Sequence, residues 1–422
     1  MTAEPAAELR ALPHAVFLER MAGAPSASSS EARLGRAAFV ALRLVDLLGH
    51  DREALHAGAF HYQHVATERA CRDLPADRTE TTHLVGLVQS AADAFQADAR
   101  SLALPALFAY AHYLEDELRL EQALDVLDTM RHIGGDEVSS TDGTALRLRT
   151  ARVLRKLNQF DAAERSYEET GALSRTTGDT HSELLSRIGL AYVLTARGNL
   201  AEAERALRAV LADAKALADR EGQALGNHGL AIVLGTGGQP INAIPHAWQA
   251  FQLYSDQLSQ MRALGDLGGM LLLVGDADGA SRALTEVVRR GATDDVVHNA
   301  MIELMHCASF RRDRLGFERW RERCEARRNS MPANMSADFC FKLGIGWARL
   351  GHAERADEAL ATALSLASSA GLHELEFRIE RIRLGLQDCL TDPECATQSG
   401  GESGWRSDAV REVSASLAQF EP

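Results

Sequence analysis

Two groups of side chains have the types and spacing to do chemistry. His61, His64, Glu68 and Cys71 follow one another at steps of 3, 4 and 3, which places them on one face of a single helix. Imidazole, carboxylate and thiolate are all zinc ligands. Four residues strung along three turns cannot all reach one ion, so at most an adjacent pair could contribute. The plainer expectation is a mixed polar face beside an apolar stripe of Leu55, Ala59, Tyr62 and Ala66, with no metal held. The second group is Arg147, Arg149, Arg152, Arg155 and Lys156, crowded into one segment of a chain whose formal net charge is −14. Guanidinium forks pair with carboxylates, so such a cluster suits an acidic ligand. The competing reading is a solvated charged face, balanced by Asp and Glu on neighbouring helices.

Other chemistry is missing. The chain has no GxxxxGK[ST], no GxSxG and no HExxH. Its six cysteines form no CxxC pair, so reduced thiols are the default. No cofactor is expected, and catalysis is the minority reading. The acidic balance disfavours nucleic acid and anionic membranes as partners. No apolar run approaches the length of a membrane span, and the first 22 residues lack a signal-peptide pattern. The expectation is a cytoplasmic protein. Only three lysines occur, so nearly all positive charge is arginine. That bias points to a GC-rich bacterial genome.

The elements that must position these side chains come from a repeat. Alanines recur at 123, 163, 203, 243, 280 and 356. Twelve residues before each stands a small residue: Ala111, Ala151, Ala191, Ala231, Gly268 and Gly344. Five residues before most of them stands Asn158, Gly198, Gly238, Gly275 or Gly351. A period near 40 residues marks a stacked array of supersecondary units. Spacings of three and four, as in Leu190, Ala191 and Leu194, give helix A one apolar face. The small residue lets helix B approach closely, and glycine or asparagine tolerates the positive φ of the turn between them.

These positions resemble the tetratricopeptide repeat family, in a long variant of about 40 residues. The matching segments run from YAHYLEDELRLEQALDVL to LGIGWARLGHAERADEAL, with a degenerate copy around LMHCASFRRDRLGFERW that has Phe317 at the anchor. The resemblance implies an all-α, right-handed superhelical solenoid of antiparallel helical hairpins, with the A helices lining a groove. Carried onto this register, the groove positions are Arg152, Arg155 and Lys156, flanked by Phe108 and His112, then by Ile188 and Tyr192, then by His228 and Ile232.

The expected organisation is an N-terminal helix and linker over 1–30 and a helical region over 31–100, where the triplet before Ala54 resembles a weakened copy of the repeat turn. The repeat array follows over 101–375, a capping helix over 376–390, a linker over 391–404 and an amphipathic helix over 405–422. That last helix either docks as a cap or occupies the groove. The leading functional expectation is a non-catalytic scaffold that binds a peptide or partner helix, with an acidic ligand favoured by the arginines. A bacterial signalling or transcription regulator acting through such binding is the first alternative. An enzyme with an unrecognised site is the second.

Overall fold

A computed structural model describes residues 12–50, 57–135, 140–291, 293–391 and 407–420. Expectations for residues 1–11, for the turn before Ala54, for Trp405 and for most of the 391–404 linker fall outside these. The described residues contain twenty α-helices and no strand. The chain divides into two compact units, 1–193 and 194–422.

The first unit opens with α1 (Ala15–Ala22), α2 (Ser30–Asp46), α3 (Ala57–Arg72) and α4 (Thr79–Ala97). Hairpins α5 (Leu104–Asp116) with α6 (Leu120–Gly134) and α7 (Ser140–Lys156) with α8 (Phe160–Thr177) follow. The unit boundary falls within α9 (Thr180–Ala196). The second unit continues with α10 (Leu200–Ala216), then four hairpins. These pair α11 (Arg220–Thr236) with α12 (Pro240–Leu253), α13 (Gln257–Leu273) with α14 (Ala277–Arg290), α15 (Asp294–Phe310) with α16 (Arg314–Glu325), and α17 (Ala333–Arg349) with α18 (Ala353–Ser369). α19 (His373–Thr391) packs on α18, and α20 (Asp408–Leu417) comes last.

The turn between the helices of each repeat has one backbone signature. Residues 118, 158, 198, 238, 275, 312 and 351 all have positive φ, between 56° and 89°. Each stands five before an anchor. Glycine fills four of these positions freely, but Leu118 and Arg312 adopt the left-handed conformation against its steric cost. Several helices then start on an aspartate: the side chains of Asp219, Asp256, Asp276 and Asp313 each accept from a first-turn N–H, which would otherwise lack a partner.

Packing follows the small residues. The anchor alanines and their partners at 111, 151, 191 and 231 are fully buried. A Cβ added to Gly268 would stand 2.6 Å from Leu284, and one added to Gly344 would stand 2.6 Å from Leu360. Those leucines follow their anchors by one helical turn, so the two helices of each hairpin meet at backbone distance. Close approach of this kind brings many weak dispersion contacts within range.

The C-terminal helix takes neither place expected of it. It neither caps the end of the stack nor covers the A helices. α20 packs on α12 and α14, both B helices, and buries Val410, Val413 and Leu417. Phe420 reaches Trp248 and Phe251 at ring-centroid distances of 6.2 and 6.0 Å. The Ser414 hydroxyl donates to Asp276. The physical reason is the aromatic pair on α12, an apolar surface that the B layer alone leaves open.

Candidate functional site

In the first unit, the basic segment lies on α7 and faces a carboxylate. Glu115, at the end of α5, has a fully buried side chain. Arg149 reaches its Oε2 at 2.6 Å, while Arg152 and Lys156 reach its Oε1 at 2.6 and 2.7 Å. Burial alone would raise the Glu115 pKa, but Arg152, Lys156 and Arg149 overcome it and hold the carboxyl well below the usual range. The segment is therefore not an uncompensated cluster. Three cations share one anion, which still leaves an excess of positive charge.

Aromatic rings flank these cations. The Arg149 guanidinium stands over Phe108 at 5.5 Å and that of Arg155 over Tyr192 at 5.0 Å. His112 is exposed and pairs with Asp116 at 3.0 Å. Phe108, His112, Arg152, Arg155, Lys156 and Tyr192 thus share the A-helix side of this unit. His228 lies in the second unit, 9% exposed, with Nδ1 3.0 Å from the Tyr254 hydroxyl and Nε2 2.9 Å from Asp266. Both ring nitrogens are engaged, so its role is to tie α11 to α13. Ile188 is also buried, at 3% exposure.

The α3 helix is rotated from its expected setting. Phe60, Thr67 and Cys71 are buried, while Ala59, Tyr62 and Ala66 are exposed. Positions 60, 64, 67 and 71 fit helical spacing as well as the expected stripe does. Phe60 decides between them by stacking on Phe95 of α4 at 3.9 Å. His61 is exposed and His64 half-buried, pointing along a different part of the helix from each other. Among the described residues, no group of three potential ligands could hold a metal. Burial pushes the Cys71 thiol up to about 11, which makes it a weak nucleophile.

The second unit holds a feature that the sequence did not single out. A pocket of about 700 Å³ opens across α13, α15, α17 and α19. Leu273, Phe310 and Arg349 line it from equivalent positions, five residues beyond the small-residue position of each repeat. His306 and Ile345 line it from one residue beyond that position. Arg152 and Lys156 occupy the same two offsets on α7. The same register rule that names the α7 cluster names these residues. It was obscured because Met305 and Phe317 replace the small residue and the alanine in this copy.

Charge in the pocket is distributed unevenly. Lys342 is held by Glu303 at 2.5 Å and Asp338 at 2.7 Å. Burial would lower its pKa, but those two carboxylates raise it. Arg349 Nη1 donates to Ser309 Oγ at 3.2 Å and approaches His306 Nε2 at 3.5 Å, with its guanidinium 5.2 Å from the Phe310 ring. Burial lowers the Arg349 pKa. Burial, with the charges of Arg349 and Lys342, brings His306 down to about 3, so this imidazole is neutral. Arg378 stands over Phe341 at 5.5 Å. The pocket thus presents an uncharged histidine and the exposed Leu273 and Phe310 beside guanidinium groups. They supply no nucleophile–base pair.

No protein-family model matches the chain, and no curated protein matches it. Solved structures do. The apo form of the quorum sensor NprR from B. thuringiensis aligns over 80% of this chain and 98% of its own, at 12% identity and a TM-score of 0.51. The fold is of the tetratricopeptide-repeat type. NprR in complex with its cognate peptide NprX aligns over 78% of this chain and 98% of its own, at 12% identity and a TM-score of 0.48. A Podosopora anserina protein of nearly identical TPR-like repeats aligns over 45% of this chain and 97% of its own, at 20% identity and a TM-score of 0.33. In the second unit α13 packs on α15, α15 on α17 and α17 on α19, which brings the four helices to one pocket.

Proposed function

We propose that this protein is a non-catalytic interaction protein that binds a peptide on its A helices. The observation that carries the reading is the pocket across α13, α15, α17 and α19, with exposed Leu273 and Phe310 beside guanidinium groups. Its volume lies within the usual range for ligand sites, and apolar walls with a few polar groups are what such sites need. In the first unit, the α7 surface, with Arg152, Arg155, Lys156, Phe108, His112 and Tyr192, would be a separate contact suited to an acidic partner. A bacterial signalling regulator is the form of this reading that the likeness to the apo quorum sensor favours. Nucleic acid and lipid are not proposed as partners, given the acidic balance. Among the described residues no helix is long and apolar enough to cross a membrane. A cytoplasmic place is part of the proposal.

Hydrogen–deuterium exchange on the full chain tests this. A pool of synthetic pentapeptides should slow exchange in α13, α15, α17 and α19. Protection confined to the B helices, or none at saturating peptide, would refute it.

A further inference from the structure

The pocket in the second unit carries more detail than peptide binding alone. Four cations line it, Lys342, Arg349, Arg378 and Arg381, against two carboxylates, Glu303 and Asp338. Both carboxylates are taken by Lys342. That leaves three guanidinium groups with no carboxylate partner among the described residues. Arg349 is held by a neutral histidine and a hydroxyl. Arg378 stands over the Phe341 ring, and both it and Arg381 are exposed. This contrasts with α7, where Arg149, Arg152 and Lys156 all reach Glu115.

Of the three, only Arg349 is half-buried, where a guanidinium without a counter-ion is costly; Arg378 and Arg381 are exposed and hydrated, in a chain whose net charge of −14 has carboxylates to spare. Three arginines at one pocket with no carboxylate partner among the described residues give it a positive balance. The neighbouring walls are apolar: Leu273 is 72% exposed, Phe310 45% and Ile382 43%. A small anion alone would leave those side chains in water. A ligand with a carboxylate next to apolar side chains would satisfy both halves of the site. Guanidinium groups suit carboxylates because their N–H pairs match the two oxygens.

We infer that this pocket selects a peptide bearing a carboxylate beside apolar side chains. Arg349, Arg378 and Arg381 receive the carboxylate, and Leu273, Phe310 and Ile382 receive the apolar groups. This rests on the peptide-binding reading above and adds the charge requirement. The carboxylate belongs either to the peptide's own C-terminus or to an acidic side chain.

Three pentapeptide pools separate the possibilities, each randomised over uncharged residues and ending in Leu, Ile or Phe. One has a free C-terminus, one is amidated, and one is amidated with an internal Glu. Each is offered to the full-length protein, and retained peptide is weighed by mass spectrometry. The free-acid pool, the Glu pool or both should be retained at least tenfold over the neutral amide, and whichever is retained identifies the source of the carboxylate. The variant R378E/R381E, which changes exposed residues, should bring retention down to the neutral level with an unchanged far-ultraviolet spectrum. Equal retention of all three pools would overturn the inference while leaving peptide binding intact. Retention of none would overturn both. Charged-pool retention that R378E/R381E leaves unaltered would also overturn the inference, because the arginines would then not be the receiving groups.

Discussion

Gly268 and Leu284 approach so closely that a methyl group on the glycine would sit 2.6 Å from the leucine Cγ. The contact joins α13 to α14 inside a core where Leu284 is fully buried. Gly268→Ala should therefore force one helix outward. Overpacking of this kind costs about 1–3 kcal/mol. Thermal melting should show the loss, and Leu284→Ala introduced with it should recover part of it. An unchanged melting temperature for Gly268→Ala would show that the helices are not held at this distance.

Arg312 has φ of 56°, although its side chain is exposed. The left-handed conformation costs a non-glycine residue roughly 1–2 kcal/mol. Glycine would remove that strain and give back roughly 0.5–1 kcal/mol through the freer unfolded chain. Arg312→Gly should thus stabilise the protein by up to about 1.5 kcal/mol. Chemical denaturation would measure it, and a lower midpoint would contradict the account.

His14 couples stability to pH. It is buried between Asp125 at 2.6 Å and Asp46 at 3.0 Å. Burial opposes its charge, but the hydrogen bonds and charges of the two aspartates raise its pKa from 6.5 to about 9. A folded-state pKa above the unfolded one means that the stabilisation is complete below about pH 6.5 and is lost as pH rises through about 9. The change is roughly 3 kcal/mol at most. The melting temperature should fall over that window, and His14→Gln should flatten the fall. A wild-type curve already flat between these values would dismiss the coupling.

Glu115→Gln removes the shared anion beneath Arg149, Arg152 and Lys156. Breaking a buried ion pair from one side costs about 3–5 kcal/mol. The variant should be destabilised by an amount of that order and should recover when Arg152 is also changed to Met. A loss below about 0.5 kcal/mol, the size of an exposed pair, would mean that the carboxylate is not the group that neutralises the cluster.

The repeat could be read from the chain because its two recurring residues solve local problems. A small side chain is needed where helices touch, and positive φ is needed at the turn. Both demands act within one hairpin, so they leave marks at fixed intervals. Glu115 left no such mark. It lies 37 residues from Arg152, and nothing within its own helix shows that it turns inward. The face of α3 was equally hidden, since two stripes fit helical spacing and only Phe95 on the next helix chooses between them. The second-unit pocket follows the same offsets as the α7 cluster. It went unread because the repeat containing Met305 and Phe317 fills its interface the other way round. Phe317 is bulky where alanine is usual, and Gly346 makes room for it: a Cβ there would stand 2.2 Å from the ring.

The docking of α20 on α12 and α14 has a consequence for synthesis. Residues 408–417 are translated more than a hundred residues after the helices they cover. Until they leave the ribosome, Trp248 and Phe251 face solvent or a chaperone, so the nascent second unit spends that interval with an adhesive flank.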